Sequence, residues 1–239
     1  MAYRLVCLDA GFTLLSPRRT LAQSLAGVLE RHGHVIGQAE LQAAWEAADA
    51  WFWDDYHRPN NATWTDDALI EATWRDYHTL MLRELGMEEQ RQLLDMVLES
   101  QFAPDAWELY PDVLPMLGEL RDGGSAVCVI SDWGSNLESI LASLGLDRYL
   151  DFVLASGAAG LAKPDPALFR LAATRASVDP ADAVMVGDSY RADVLGARAA
   201  GMDGLLLDRA GDATVDDVRV IRSLAELPSL VHAAASSRG

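Results

Sequence analysis

The chain has 239 residues, half of them hydrophobic and 23% charged, with a formal net charge of −17. That composition suits one generous globular domain, or a core of about 150 residues with a smaller unit appended. The acidity excludes a nucleic-acid or anionic-membrane partner, which it would repel at long range, and an anionic substrate needs local cations or a metal to overcome the same field.

The first residues, MAYRLVCLD, lack the basic start and long apolar stretch of a signal peptide. No apolar run reaches the length of a membrane span. RLVCLDA, residues 4–10, is a short apolar run ending in a turn, and predicts a buried strand. From about Ser16 the period becomes helical. Leu21, Leu25, Val28 and Leu29 share one face, and Leu41, Trp45 and Ala48 form another such stripe. In TDDALIEATWRDYHTLMLRELG the expected N-cap is Thr65 and the expected stop is Gly86. Residues 16–105 therefore read as all-helical.

After Pro111 the rhythm changes. SAVCVIS (125–131), DFVLAS (151–156), AVMVG (183–187) and DGLLLD (203–208) are short β-rich runs. Strands alternating with helices predict a parallel sheet covered on both faces. The fold class is thus α/β, a Rossmann-like core of residues 1–15 and 106–239 with a helical insert over 16–105. Cys7 and Cys128 fall inside predicted strands and read as buried, inert thiols. No disulfide framework is implied, which fits a reducing cytoplasm. The tail AAASSRG is expected to fray.

Ligands of an open parallel sheet bind at the carboxyl ends of its strands. Those ends carry Asp9, Ser131 and Asp188, and the loop after DFVLAS carries Lys163. Of 19 basic residues Lys163 is the only lysine. A chain that uses arginine elsewhere keeps the compact ammonium at this one place.

DAGFT, ISDWGSN, AKPDP and VGDSYRAD, in that order, resemble the four motifs of the haloacid dehalogenase-like (HAD) superfamily. The helical insert resembles its C1-type cap. The stretch LGLDRYLDFVLASGAAGLAKPDPALF looks especially like the subgroup of haloacid dehalogenase-like hydrolase domain-containing protein 3. The resemblance covers nearly the whole chain, and is specific in the core and weak in the insert. It implies a Mg²⁺-dependent hydrolase of a small phosphorylated metabolite. Asp9 would attack phosphorus and form an aspartyl-phosphate. Ser131 and Lys163 would hold and neutralise the phosphoryl group. Asp9, the Gly11 carbonyl and Asp188 would ligate Mg²⁺, with Asp193 reaching the metal or anchoring its loop. The residue types suit the chemistry, because phosphoryl transfer needs an in-line nucleophile and cations, and Mg²⁺ prefers oxygen ligands. Thr13 is expected to brace its loop by hydrogen bonding. Plainer roles exist for each residue: a turn cap at Asp9, a helix N-cap at Ser131, a surface charge at Lys163, helix-dipole charges at Asp188 and Asp193.

Position 11 departs from the pattern. Most phosphatases of the family carry a second Asp there, which protonates the leaving alcohol and then activates water. Such acid–base help is worth roughly 10²–10⁴-fold. Asp132 is one candidate replacement. Asp54, Asp55, His57 and Arg58 in WFWDDYHRPNNATW are others, set among Trp51, Phe52, Trp53 and Trp64. Five of the seven tryptophans lie within 16–105, enough aromatic surface for a lid over a small organic substrate or simply for the core of the insert. Three rival functions follow. A 2-haloacid dehalogenase uses the same nucleophile without the second Asp, but needs no metal, and the acidic GDSYRAD stands against it. A phosphonatase needs a cap lysine, which the insert lacks. A catalytically weak binding or regulatory protein would explain Gly11 but not Asp9, Lys163 and Asp188. The expected protein is a cytoplasmic monomer or homodimer.

Overall fold

The computed structural model describes residues 3–58, 62–88 and 90–233. Pro59–Asn61 of the aromatic insert stretch and most of the C-terminal tail lie outside the described residues. The chain divides into two compact units, one of residues 1–16 and 109–239, the other of residues 17–108.

In chain order, β1 (Leu5–Leu8) and β2 (Leu15–Pro17) lead into α1 (Leu21–Arg31), α2 (Gln38–Tyr56), α3 (Asp67–Glu84) and α4 (Arg91–Phe102). Next come β3 (Trp107–Leu109), α5 (Val113–Asp122), β4 (Ala126–Ser131), α6 (Leu137–Ser143), β5 (Phe152–Ala155), α7 (Ser156–Ala159) and α8 (Pro166–Ala176). The chain continues through β6 (Ala183–Gly187), α9 (Gly196–Ala200), β7 (Asp203–Leu207), β8 (Arg219–Ile221) and α10 (Leu227–Ala233).

Six strands form one parallel sheet in the order β5-β4-β1-β6-β7-β8. The α/β reading therefore holds. β1 is central, flanked by β4 and β6, so its carboxyl end is the midpoint of the edge where ligands bind. Its four residues are all buried, as a strand covered on both faces requires. Alternation sorts the core. Leu5 and Cys7 share one face with Cys128, Ile130, Ala183 and Met185, and pack with Leu168, Phe169, Ala172 and Ala173 of α8. Cys7 and Cys128 are register partners on adjacent strands, both fully buried and free, with sulfurs 3.5 Å apart. The edge strand β8 was not expected from the sequence. It is three residues long and opens on an exposed Arg219, so it lacks the apolar run that marks the buried strands.

The second unit is helical. In α1 three of the four predicted stripe residues, Leu25, Val28 and Leu29, are core at 0% exposure, and Leu21 at the start of the helix stays partly exposed. In α2 the buried line is Ala44, Ala48 and Phe52, while Leu41 and Trp45 stay partly exposed. The N-cap of α3 is Asp66 rather than Thr65. Its carboxylate accepts from the amides of Ala68 and Leu69, and Thr65 closes a 3₁₀ turn before it. Gly86 follows the helix at φ +68°, the left-handed stop that glycine permits. Ser16 and Pro17 belong to β2, which pairs with β3, so the helical run begins at Leu21. No helix among the described residues is long and apolar enough to cross a membrane.

Candidate active site

Four segments of the α/β unit bring polar side chains to the carboxyl edge. Asp9 follows β1 and is anchored by its amide, which donates to the Val186 carbonyl at 3.0 Å. Its side chain is 7% exposed. Ser131 closes β4, and its hydroxyl donates to Asp9 Oδ1 at 2.9 Å. Lys163 comes from the loop after α7. Its Nζ donates to Asp9 Oδ1 and to Asp193 Oδ1, both at 2.7 Å, with its side chain only 5% exposed. Both donors engage Asp9 Oδ1, so Oδ2 is the oxygen left to react.

Asp188 follows β6 directly. Asp193 lies within a wide π-helical turn, Tyr190–Leu195, a helix form often found at functional sites. Asp193 is fully buried, with Oδ1 on Lys163 and Oδ2 accepting the Ser189 amide at 3.0 Å. Gly187 makes room for it. A Cβ there would stand 2.1 Å from Asp193 Oδ2 and 2.3 Å from its Cγ, so only glycine lets this carboxylate fold beneath the end of β6.

Ligand oxygens of Asp9, Asp188 and Asp193 all lie within 4.8 Å of one another. Three carboxylates face one ammonium, so charge is left uncompensated. Burial at the strand end, then the negative charge of Asp9 and Asp193, push the Asp188 carboxyl up to about 7, against the pull of Lys163. Asp188 keeps an exposed rim, where water screens part of this repulsion. Asp193 is pushed up to about 6, by burial first, with Lys163 opposing and Asp9 adding to the rise. A hard divalent cation fits this donor set, since it would neutralise the surplus and take oxygen ligands.

The other residues singled out in the sequence fall elsewhere. Asp132 Oδ1 accepts the Lys163 amide at 2.9 Å, so this carboxylate fastens the lysine loop. Thr13 is buried, but its hydroxyl has no hydrogen-bond partner among the described residues, contrary to the bracing role expected of it. Its carbonyl does the bracing, accepting Arg209 Nη2 at 2.9 Å. Asp54, His57 and Arg58 belong to the helical unit. Arg58 pairs with Asp54 at 3.4 Å and Asp55 at 3.0 Å, and the His57 ring stacks on Trp53. Gly11 forms a bridge with Leu15. Phe12 between them has φ +55° and is 55% exposed, an uncommon conformation for a bulky residue and a form of strain that collects at functional loops.

Arg209 was missed in the sequence. It follows β7, holds Asp112 with two bonds of 3.0 Å, and lies 3.8 Å from the Tyr110 ring centroid. Asp112 also accepts the Ser223 hydroxyl at 2.7 Å and the Leu224 amide at 2.9 Å. One guanidinium thus ties the loop after β1 to the chain entering α5. The usable signal was a lone basic residue just beyond a predicted strand, in LLLDRAG.

Comparison with known proteins identifies the family. The family model for haloacid dehalogenase-like hydrolases matches residues 3–201. Haloacid dehalogenase-like hydrolase domain-containing protein 3 of Mus musculus is 32% identical, over 98% of this chain and 96% of its own length. Among solved structures, a 2-haloacid dehalogenase from Pseudomonas syringae pv. Tomato superposes with TM-score 0.67 at 27% identity, over 97% of this chain and 99% of that one. A HAD phosphatase from Thermococcus onnurineus superposes with TM-score 0.67 at 26% identity, over 95% and 97%.

Proposed function

We propose that this chain, which belongs to the haloacid dehalogenase-like hydrolase family, is a Mg²⁺-dependent phosphatase of a small phosphorylated metabolite. The observation that carries the reading is the carboxylate surplus at the sheet edge, with Asp9, Asp188 and Asp193 gathered within 4.8 Å around one lysine. Asp9, Asp188 and the Gly11 carbonyl would hold the cation. Asp193 has both oxygens engaged and better suits the part of positioning Lys163. Bound Mg²⁺ would supply charge neutralisation for the phosphoryl oxygens. Asp9 Oδ2 attacks phosphorus while the Ser131 hydroxyl turns from Asp9 to a phosphoryl oxygen. Lys163 offsets charge on both partners. The bond to the leaving oxygen breaks, and water then hydrolyses the aspartyl-phosphate. The helical unit serves as a cap in this reading, and Asp54, His57 and Arg58 are its proposed substrate contacts.

A 2-haloacid dehalogenase is the second reading, and Gly11 favours it. There the same carboxylate attacks carbon and no cation is needed, which leaves the surplus at Asp188 unexplained. The test is phosphate release from acetyl phosphate, p-nitrophenyl phosphate and several sugar phosphates, with and without MgCl₂. Asp9→Asn is expected to lose on the order of 10³-fold or more. Release indifferent to Mg²⁺ or to Asp9→Asn, or turnover of a haloacid in EDTA, would sink the phosphatase.

A further inference from the structure

The turn that follows Asp9 is held from outside itself. Within it the Phe12 amide donates to the Leu15 carbonyl at 2.7 Å, and the Leu14 and Leu15 amides donate to the Ala10 carbonyl at 2.9 and 2.8 Å. Two residues make this turn hard to keep. Gly11 is the most permissive residue for the backbone, and Phe12 stands at φ +55°, which a bulky residue holds only where its surroundings over-determine it. Arg209 supplies that constraint. Its Nη2 donates to the Thr13 carbonyl at 2.9 Å, and Nη1 and Nη2 each donate to a different oxygen of Asp112 at 3.0 Å. The guanidinium lies 3.8 Å from the Tyr110 ring centroid, and the Tyr110 amide donates to the Leu14 carbonyl at 3.1 Å. Asp112 is fixed in turn by the Ser223 hydroxyl and the Leu224 amide, both on its Oδ2. A charge-assisted fork of this kind sets direction as well as distance.

Gly11 has no side chain, so its backbone carbonyl is all that this position can offer a cation. The place of that carbonyl depends on the turn, and the turn is pinned at Thr13, two residues on. We infer that Arg209 is a positioning residue for the cation site: through the Thr13 carbonyl it holds the turn that presents the Gly11 carbonyl, with Asp112 as its anchor. The inference rests on the Mg²⁺-dependent reading above. Partners that orient a ligand without touching the metal are worth roughly 10–100-fold in metal affinity. The sign separates position from charge. By charge alone, deleting a cation from the unit that binds a divalent metal tightens the binding. Deleting one that holds a ligand in place weakens it.

The probe is Mn²⁺ alone, which takes the same oxygen ligands as Mg²⁺ and whose free ion is read by electron paramagnetic resonance. It is titrated into the full chain after treatment with EDTA. Arg209→Met is expected to bind it about tenfold more weakly than wild type. Asp112→Asn keeps an oxygen for Ser223 and Leu224 but turns an amide nitrogen towards Arg209 Nη2, and should weaken binding by less. The double variant should be no weaker than Arg209→Met, because both residues act through one clamp. Hydrogen exchange supplies the readout that a general loosening would not give. In Arg209→Met the amides of Phe12, Leu14 and Leu15 should exchange faster while those of Leu5–Leu8 in β1 keep their protection. Should Arg209→Met fail to fold, Asp112→Asn decides by the same two measurements. Unchanged or tighter Mn²⁺ binding in the variant, or faster exchange in β1 as much as in the turn, overturns the inference alone, provided wild type binds Mn²⁺. Should wild type bind none, the metal-dependent reading falls and this inference with it.

Discussion

The α/β unit and the helical unit both bury polar side chains, but of opposite kinds. At the sheet edge the buried groups are ionisable and paired: Lys163 between Asp9 and Asp193, with Asp188 alongside. In the helical unit the buried polar pair is neutral. His78 Nε2 donates to Gln101 Oε1, and His78 Nδ1 has no partner among the described residues. Burial pushes His78 down to about 4, with the Gln101 bond opposing. Burying a charge is tolerable only with a partner, and a fold keeps such a pair at a cost in stability. One unit therefore holds charge where chemistry is available, and the other expels charge where only packing is.

The largest expected effect comes from breaking the charged side. Lys163→Met keeps the stem and removes the ammonium, leaving Asp9 and Asp193 facing each other. In EDTA at pH 8 we expect a loss of about 3–5 kcal/mol, the usual cost of orphaning a buried charge. The loss should shrink towards pH 5, since Asp193 already sits near 6 and protonation relieves it. Urea unfolding at the two pH values measures this. An undiminished loss at pH 5 would mean that the lysine acts through packing and that the contrast between units is not electrostatic.

The buried groups of the two units also contribute to stability with opposite pH dependence. His78 is depressed in the folded state, so the unfolded chain binds more protons between about pH 6.5 and 4. Its contribution to stability is full above the unfolded value and is lost as pH falls through that window. Asp188 and Asp193 are raised, so their contribution is present at low pH and is lost as pH rises towards 6–7. His78→Leu isolates the first term. Relative to wild type, the variant should gain about 2–3 kcal/mol between pH 7.5 and 4.5. Tryptophan fluorescence is the suitable probe, because every tryptophan but Trp133 belongs to the helical unit. A difference that stays flat with pH would show that His78 titrates normally and is not held neutral.

The same contrast explains what the sequence made legible. Strands buried on both faces must be apolar throughout, so β1, β4, β5, β6 and β7 stood out, and the residues at their ends were candidates by position alone. Asp9, Ser131 and Asp188 were found that way and Lys163 as the lone lysine of a following loop, and the structure brings them together. The exposed edge strand β8 obeys no such constraint and left no signal. Contacts made across space were equally silent. Nothing in the sequence links Asp132 to the Lys163 amide, or Arg209 to Thr13 and Asp112. The Thr13 expectation failed for this reason, since the loop is held by a carbonyl, which every residue carries. In the helical unit Thr65 and Asp66 are both good caps, and only the path of the chain decides between them.

The smallest expected effect tests whether burial, rather than pairing, sets the energy. Arg75 of α3 makes two ion pairs, to Asp95 of α4 at 2.8 Å and to Glu71 at 3.1 Å, with its side chain 42% exposed. In number and distance these resemble the pairs of Lys163, yet water competes for every partner and salt screens what remains. Arg75→Ala should therefore cost less than about 1 kcal/mol. The cost should fade in 0.5 M NaCl, whereas that of Lys163→Met should persist, because salt screens a buried pair far less than an exposed one. Comparable costs for the two variants, or a common response to salt, would show that the paired charges of the two units are worth the same wherever they sit.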